Sequence, residues 1–164
     1  MGRIRQADRT TTHMSARDIS VSAFEDLDRV IGQSHQAVDA FAKGDSAPLK
    51  ALYSHESDVS IANPFGPPVR GWRPAAETMD RAATYYRDGR ATGFERMAEY
   101  ATPGLAYVVE MEHFEAKMGG RKDMTPVTLR VTTVLRPESG TWKIVHRHAD
   151  TITTARPAES VIQG

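Results

Sequence analysis

The stretch Thr141-Trp142-Lys143-Ile144-Val145-His146-Arg147-His148-Ala149-Asp150, entered through Glu138-Ser139-Gly140, decides the fold. Its β-branched and aromatic residues read as a strand. Strand side chains alternate between two faces, so Trp142, Ile144, His146, His148 and Asp150 are expected to share one. Two imidazoles and a carboxylate on one face are unusual for a plain core strand, and the pattern leaves open whether that face looks inward.

Working back from this strand, which is expected to run to residue 153, three more long strands are expected at 94–100, 105–118 and 126–136. Thr102-Pro103-Gly104, Gly119-Gly120-Arg121-Lys122-Asp123 and Pro137-Glu138-Ser139-Gly140 separate them with turn chemistry, which implies an antiparallel meander. The first half of the chain reads differently. Val21, Phe24, Leu27, Ile31, Val38 and Phe41 recur at helical spacing over 20–43, with Ser22 and Glu25 as a capping box and Gly44 as the stop. Asp45 or Ser46 caps a short helix with Pro48 in its first turn. A brief strand at 58–62 leads into Asn63-Pro64-Phe65-Gly66-Pro67-Pro68, whose prolines forbid ladder pairing. Val69-Arg70-Gly71-Trp72 is expected to add a short strand, and Pro74 to open a third helix that carries Met79, Ala82, Ala83 and Tyr86 as far as Gly89. The layout is α+β: three helices covering one face of a curved, mostly antiparallel sheet.

A chain of 164 residues fits one domain, expected over 18–155, with a flexible segment at 1–17 and a loose tail at 156–164. Its 21 basic and 21 acidic side chains cancel, so no global field attracts nucleic acid or an anionic membrane. There is no basic stripe with interleaved aromatics, and no apolar run approaches the ~20 residues of a membrane helix. The absence of cysteine excludes disulfides, thiolate metal sites and a cysteine nucleophile, and it is compatible with the cytoplasmic location expected here. No phosphate-cradling loop, dinucleotide fingerprint or GxSxG elbow occurs, and no cofactor is expected.

The segment Gly140-Thr141-Trp142-Lys143-Ile144-Val145-His146-Arg147-His148 resembles the closing strand of SnoaL-like domains and of the calmodulin-dependent kinase II association domain, within the nuclear transport factor 2-like superfamily. The similarity extends to Leu129-Arg130-Val131-Thr132, Leu105-Ala106-Tyr107-Val108-Val109, and Asn63-Pro64 with Val69-Arg70-Gly71. It implies a cone-shaped fold with a pocket between sheet and helices, and a homodimer formed through the open sheet face. It implies no single reaction, because members include cyclases, isomerases, dehydratases, epoxide hydrolases and assembly hubs. In the kinase association domain, pocket arginines bind carboxylates. Arg130 matches one of these, whereas Val109 and Ala149 stand where two others are expected.

The residues themselves nominate a site. Arg130 lies in a central strand and needs an acceptor, either a ligand carboxylate or enolate oxygen, or Glu110 or Glu112 on the preceding strand. His148 with Asp150 suits proton transfer at a carbonyl compound, while His146 is expected to pack beside Trp142. Tyr53, Trp72, Tyr86 and Tyr107 are the aromatics expected to line a pocket, with Glu110 and His146 as further ligand contacts. Asp58, Glu110 and Glu112 become bases only where apolar walls surround them. His35 reads as a hydrogen-bonded core histidine, and no metal is expected, since His146-x-His148 lacks a third ligand at recognisable spacing. The expected function is binding of a small hydrophobic or carboxylate-bearing molecule, with cofactor-independent acid/base chemistry; the alternative is a non-catalytic dimeric module.

Overall fold

Apolar residues at helical spacing form α1 (Ala16–Ala42), which buries Leu27, Val30, Ile31, Val38 and Ala42. The helix ends at Gly44, whose φ of 96° few other residues adopt, while Asp45 N–H reaches back to the Ala40 carbonyl at 3.1 Å. In this computed structural model residues 16–162 are described, so most of the segment expected to be flexible lies outside the described residues. The backbone is already helical at Ala16, which places Ser22 inside the helix and not at its cap.

Asp45 then accepts from Ala47 N–H at 2.9 Å at the start of α2 (Ala47–Leu52), while Ser46 turns its hydroxyl to Asp80. Lys50 also donates to Asp80, at 2.6 Å, tying α2 to α3 (Trp72–Ala83). Trp72 therefore opens a helix and does not close a strand. α3 also stops earlier than its pattern suggests, and Tyr86, expected on this helix, begins a strand.

The strands are β1 (Ser60–Ala62), β2 (Val69–Arg70), β3 (Tyr86–Ala101), β4 (Ala106–Met118), β5 (Thr125–Glu138) and β6 (Thr141–Asp150). They form one sheet in the order β2-β1-β6-β5-β4-β3, antiparallel except where β1 runs parallel to β6. β3 carries three register shifts against β4, and such bulges bend a strand around a core. Gly89 explains why the chain becomes a strand here. A Cβ on it would press on the Ala42 carbonyl oxygen and stand 2.5 Å from the Glu115 carbonyl oxygen and 2.7 Å from Ala116 Cβ. Only glycine lets β3 wedge between the end of α1 and β4. β6 ends at Asp150, whose Oδ1 accepts from Ile152 N–H at 2.8 Å and turns the chain away before residue 153.

The helices cover one sheet face. Ala106, Val108, Phe114 and Ala116 of β4, Leu129, Val131 and Leu135 of β5, and Trp142 and Ile144 of β6 supply the buried apolar surface there. A polar tie joins α1 to this face. His35 Nε2 lies 3.1 Å from both Glu110 oxygens, its ring stacks on Phe94 at 3.8 Å, and Arg96 reaches Glu110 Oε1 at 3.3 Å. His35 thus makes the hydrogen bond its position on the helix suggests, but it is half-buried beside the core and not inside it. Among the described residues, no helix is long and apolar enough to cross a membrane.

Two outcomes are expected from this packing. Gly89→Ala loses about 1–3 kcal/mol of stability in chemical denaturation, because the collision is with backbone that cannot swing aside. Burial disfavours the Glu110 carboxylate, but His35 and Arg96 outweigh it and hold its pKa below the ordinary value near 4.5. Its contribution is therefore present above that value and lost as pH falls through the lower folded one. Thermal melts of Glu110→Gln should lie below those of the parent at neutral pH and converge with them in strong acid; a gap independent of pH refutes the linkage.

Candidate functional site

The site is created by an irregularity in β6. Against β5, Ile144 pairs with Leu135 and His146 with Val134, so Val145 is an extra residue. One inserted residue sends every later side chain to the opposite face. Trp142 and Ile144 point into the core, but beyond Val145 the inward positions are Arg147 and Ala149. His146, His148 and Asp150 are turned to the uncovered face. The bulge lies where β6 exchanges edge partners, from the Tyr53 bridge at Ile144 to the β1 pairing at His146.

Arg147 enters a cavity of about 40 Å³ between α1, α2, α3 and the sheet, lined by apolar side chains such as Val38, Phe41, Leu49, Met79, Phe114 and Leu129. That is room for a few waters or a small ligand group, since one water needs ~10–15 Å³ on this measure. The charged groups in its wall are Arg147 and Glu112, whose Nη2 and Oε2 lie 2.5 Å apart and whose side chains are 9% and 2% exposed. Among the described residues Glu112 is the sole acceptor for Arg147, which leaves most of the guanidinium's N–H groups uncommitted. Burial alone would lower the Arg147 pKa; the attraction of Glu112 more than offsets it and keeps the guanidinium charged.

Tyr53 adds a second unusual group. Its side chain is 1% exposed and its hydroxyl has no hydrogen-bond partner. Burial pushes its pKa well up, with Arg147 opposing and Glu112 reinforcing, so the phenol stays protonated in the field of both charges. Tyr86, in the cavity wall, is likewise raised by burial.

The expected site residues are divided between two places. Arg130, His148 and Asp150 are brought together, because Arg130 pairs with Asp150 across β5 and β6. Arg130 Nη2 lies 2.7 Å and His148 Nε2 3.3 Å from Asp150 Oδ2. They stand on the outer face, however, with Arg130 47% and His148 52% exposed, and do not line the cavity. The bulge turns His148 and Asp150 outward, and Arg130 faces outward by the unbroken alternation of β5 between buried Leu129 and Val131. None of the three is therefore in the pocket expected for them, and the acceptor for Arg130 is Asp150 and neither Glu110 nor Glu112. His146 is also outside and not beside Trp142. Its Nδ1 is 2.8 Å from Ser60 Oγ, and burial, then the nearby His148, depress its pKa. Tyr107 lies on the same face, stacked on Tyr100 at 5.9 Å. Glu110 is held by His35 and Arg96 and does not line the cavity. Trp72 stacks on His55 at 3.9 Å, also away from the cavity. Tyr86 does line it, and Tyr53 lies behind the pair without contributing to the wall.

Arg147 was missed because nothing in the residue pattern announces a bulge at Val145. Glu112 carried a readable signal. Ala106, Val108, Glu110, Glu112, Phe114 and Ala116 form one alternating face of β4, and a carboxylate in phase with apolar neighbours must face the same interior.

Comparison with known proteins agrees with this architecture. The model of the SnoaL-like domain matches residues 33–152. A nuclear transport factor 2-like superfamily protein from Salmonella enterica serovar Typhimurium superposes with a TM-score of 0.69 at 18% identity, covering 85% of this chain and 98% of that one. A protein described as a candidate dehydratase of the same fold family from Streptomyces avermitilis gives 0.66 at 16% identity, with 82% and 99% covered. A protein from Thiobacillus denitrificans, described as a candidate calcium/calmodulin-dependent kinase type II association domain, gives 0.59 at 17% identity, with 74% and 91% covered. At these identities the likeness is one of fold. No protein with a curated description matches the chain. With the family model covering most of the sheet and helices just described, the chain belongs to the SnoaL-like domain family.

Proposed function

We propose that this protein binds a small, largely apolar carbonyl or carboxylate compound in the cavity between helices and sheet, and that it moves a proton on that compound without a cofactor. The observation that carries this reading is the Arg147–Glu112 pair set in an otherwise apolar cavity wall. A guanidinium with free N–H groups holds a carbonyl or enolate oxygen by charge-assisted hydrogen bonds, and the low local polarity strengthens them. Glu112 is the base in the same wall, with one oxygen committed to Arg147 and the other without a partner among the described residues. The unpartnered Tyr53 hydroxyl supplies a further donor if a ligand or water reaches it. The reaction class is isomerisation, cyclisation, dehydration or hydration through an enolate. A cytoplasmic location is part of this proposal.

The uncovered sheet face favours a second, compatible reading, a homodimer. Rows of facing residues, Tyr107 with Val134 and Val109 with Thr132, put half-buried valines into this face, where Tyr107, Met97 and Tyr100 are exposed. In this reading the outer-face cluster of Arg130, His148 and Asp150 serves association.

The pocket reading is tested by thermal shift against short oxo and carboxylic acids and by NMR of α-deuteron exchange in those that bind. A ligand of the native state raises Tm. Arg147→Lys keeps the charge but loses the planar fork, and it should weaken binding about tenfold. Tyr53→Phe should be at least as stable as the parent, since a buried hydroxyl without a partner costs ~1–3 kcal/mol, yet bind less tightly. Glu112→Gln should slow exchange about a hundredfold or more. Parent-like binding and exchange in all three variants refutes the assignment. For the dimer, light scattering at micromolar concentration should give twice the chain mass and Val134→Lys should halve it; a monomeric parent disposes of the second reading.

A further inference from the structure

Phe65 is 43% exposed, although it is one of only five phenylalanines in the chain and lies beside the core. It forms part of two walls at once. On one side it closes the inner cavity, and on the other it borders an open groove of about 330 Å³ with Tyr85, Met118, Gly119 and Arg121. Its ring meets Tyr85 edge-on at 5.0 Å and Tyr86 at 5.9 Å. The backbone around it is fixed by flanking prolines and by Asn63 Oδ1, which accepts from Phe65 N–H at 3.0 Å. Phe65 is the side chain that the linings of cavity and groove share.

The groove has aromatic and thioether walls and a charged end. Among the described residues, no carboxylate pairs with Arg121 or with Arg87, whose Nη2 donates to the Arg121 carbonyl oxygen at 3.2 Å. Asp88, beside Arg87 in sequence, is engaged by Lys117 at 2.7 Å. Arg121, in the groove wall and without a carboxylate partner among the described residues, complements an anion, and the inner cavity alone is too small for more than the head of a ligand.

We propose that Phe65 is a gate and that the groove beyond it is a second subsite, so that the ligand is an elongated oxo acid: its carbonyl end in the cavity at Arg147, its apolar middle passing Phe65 and Tyr85, and its terminal carboxylate at Arg121. Phe65 selects for narrow, flexible chains, and Arg121 selects for an acid end. This deepens the pocket reading above and rests on it.

Three probes separate the parts in calorimetric titration: methyl octyl ketone, decanoate, and the decanoate that carries a keto group on its penultimate carbon. The keto acid should bind more tightly than either singly functional probe. Arg121→Gln should weaken the keto acid and decanoate about tenfold and leave the ketone unchanged, as expected for loss of one charge-assisted contact. Phe65→Ala should raise the association rate of all three in stopped-flow measurements. The subsite is overturned if Arg121→Gln leaves all three affinities unchanged, or if the keto acid binds no more tightly than the ketone. Failure of the pocket reading has a different signature: Arg147→Lys leaves ketone binding intact while decanoate still depends on Arg121. If none of the probes binds the native protein, both readings fall.

Discussion

A single extra residue in β6, Val145, is the constraint on which the rest of the site depends. Without it, Arg147 would share a face with Lys143 and Val145 on the uncovered side, and His146 and His148 would look into the hollow. With it, a guanidinium enters an apolar interior and two imidazoles leave. Because strand periodicity is two, no smaller change could exchange the two sets, and none of the residues involved needs to differ. The bulge falls where β6 passes from one edge partner to another, Tyr53 on one side and β1 on the other.

The pair created in this way is costly as a structural device. Two buried charges give up most of their hydration, and a well-packed apolar pair of the same volume is often equal or better for stability. Arg147 and Glu112 are nonetheless joined by few other partners, beside a cavity and a phenol that also lacks one. A network fully satisfied within itself would rigidify the core. One left partly open, next to space for a few atoms, keeps donors and an acceptor available to something that enters. The contrast with Glu110, two residues earlier on the same strand face, is instructive. It is gripped by His35 and by Arg96, is not in the lining of this cavity, and serves to fasten α1 to the sheet.

Much of this architecture was legible in the chain. The four long strands, the turns at Gly104, Gly119-Gly120 and Gly140, and the three helices follow from periodicity and turn chemistry, and the resemblance of the closing strand led to the right fold. The errors have local causes. Tyr86 continued the apolar period of α3, but the close approach at Gly89 makes it the start of β3, and a glycine in sequence does not say which backbone it must accommodate. Cross-strand register joins Arg130, His148 and Asp150, and they stand on the outer face, a side that the residue pattern leaves open. Alternation carries no information about a bulge, so it fixes relative positions only up to the next irregularity.

This division of the sheet gives each face its own chemistry. On the outer face the ionisable groups have polar partners: Asp150 accepts from Arg130 and approaches His148, His146 meets Ser60, and His113 lies 3.1 Å from Thr128. Such pairs sit in partial contact with water, where screening and competing hydration leave each worth little. On the inner face the Arg147–Glu112 pair stands in the cavity wall among apolar side chains, where the same charges interact far more strongly and any third polar group admitted to the cavity must be accommodated by them. The number of titratable residues is therefore a poor guide to where chemistry resides in this fold. The outer face has more of them, but the inner face has the environment in which a charge, once placed, cannot be ignored.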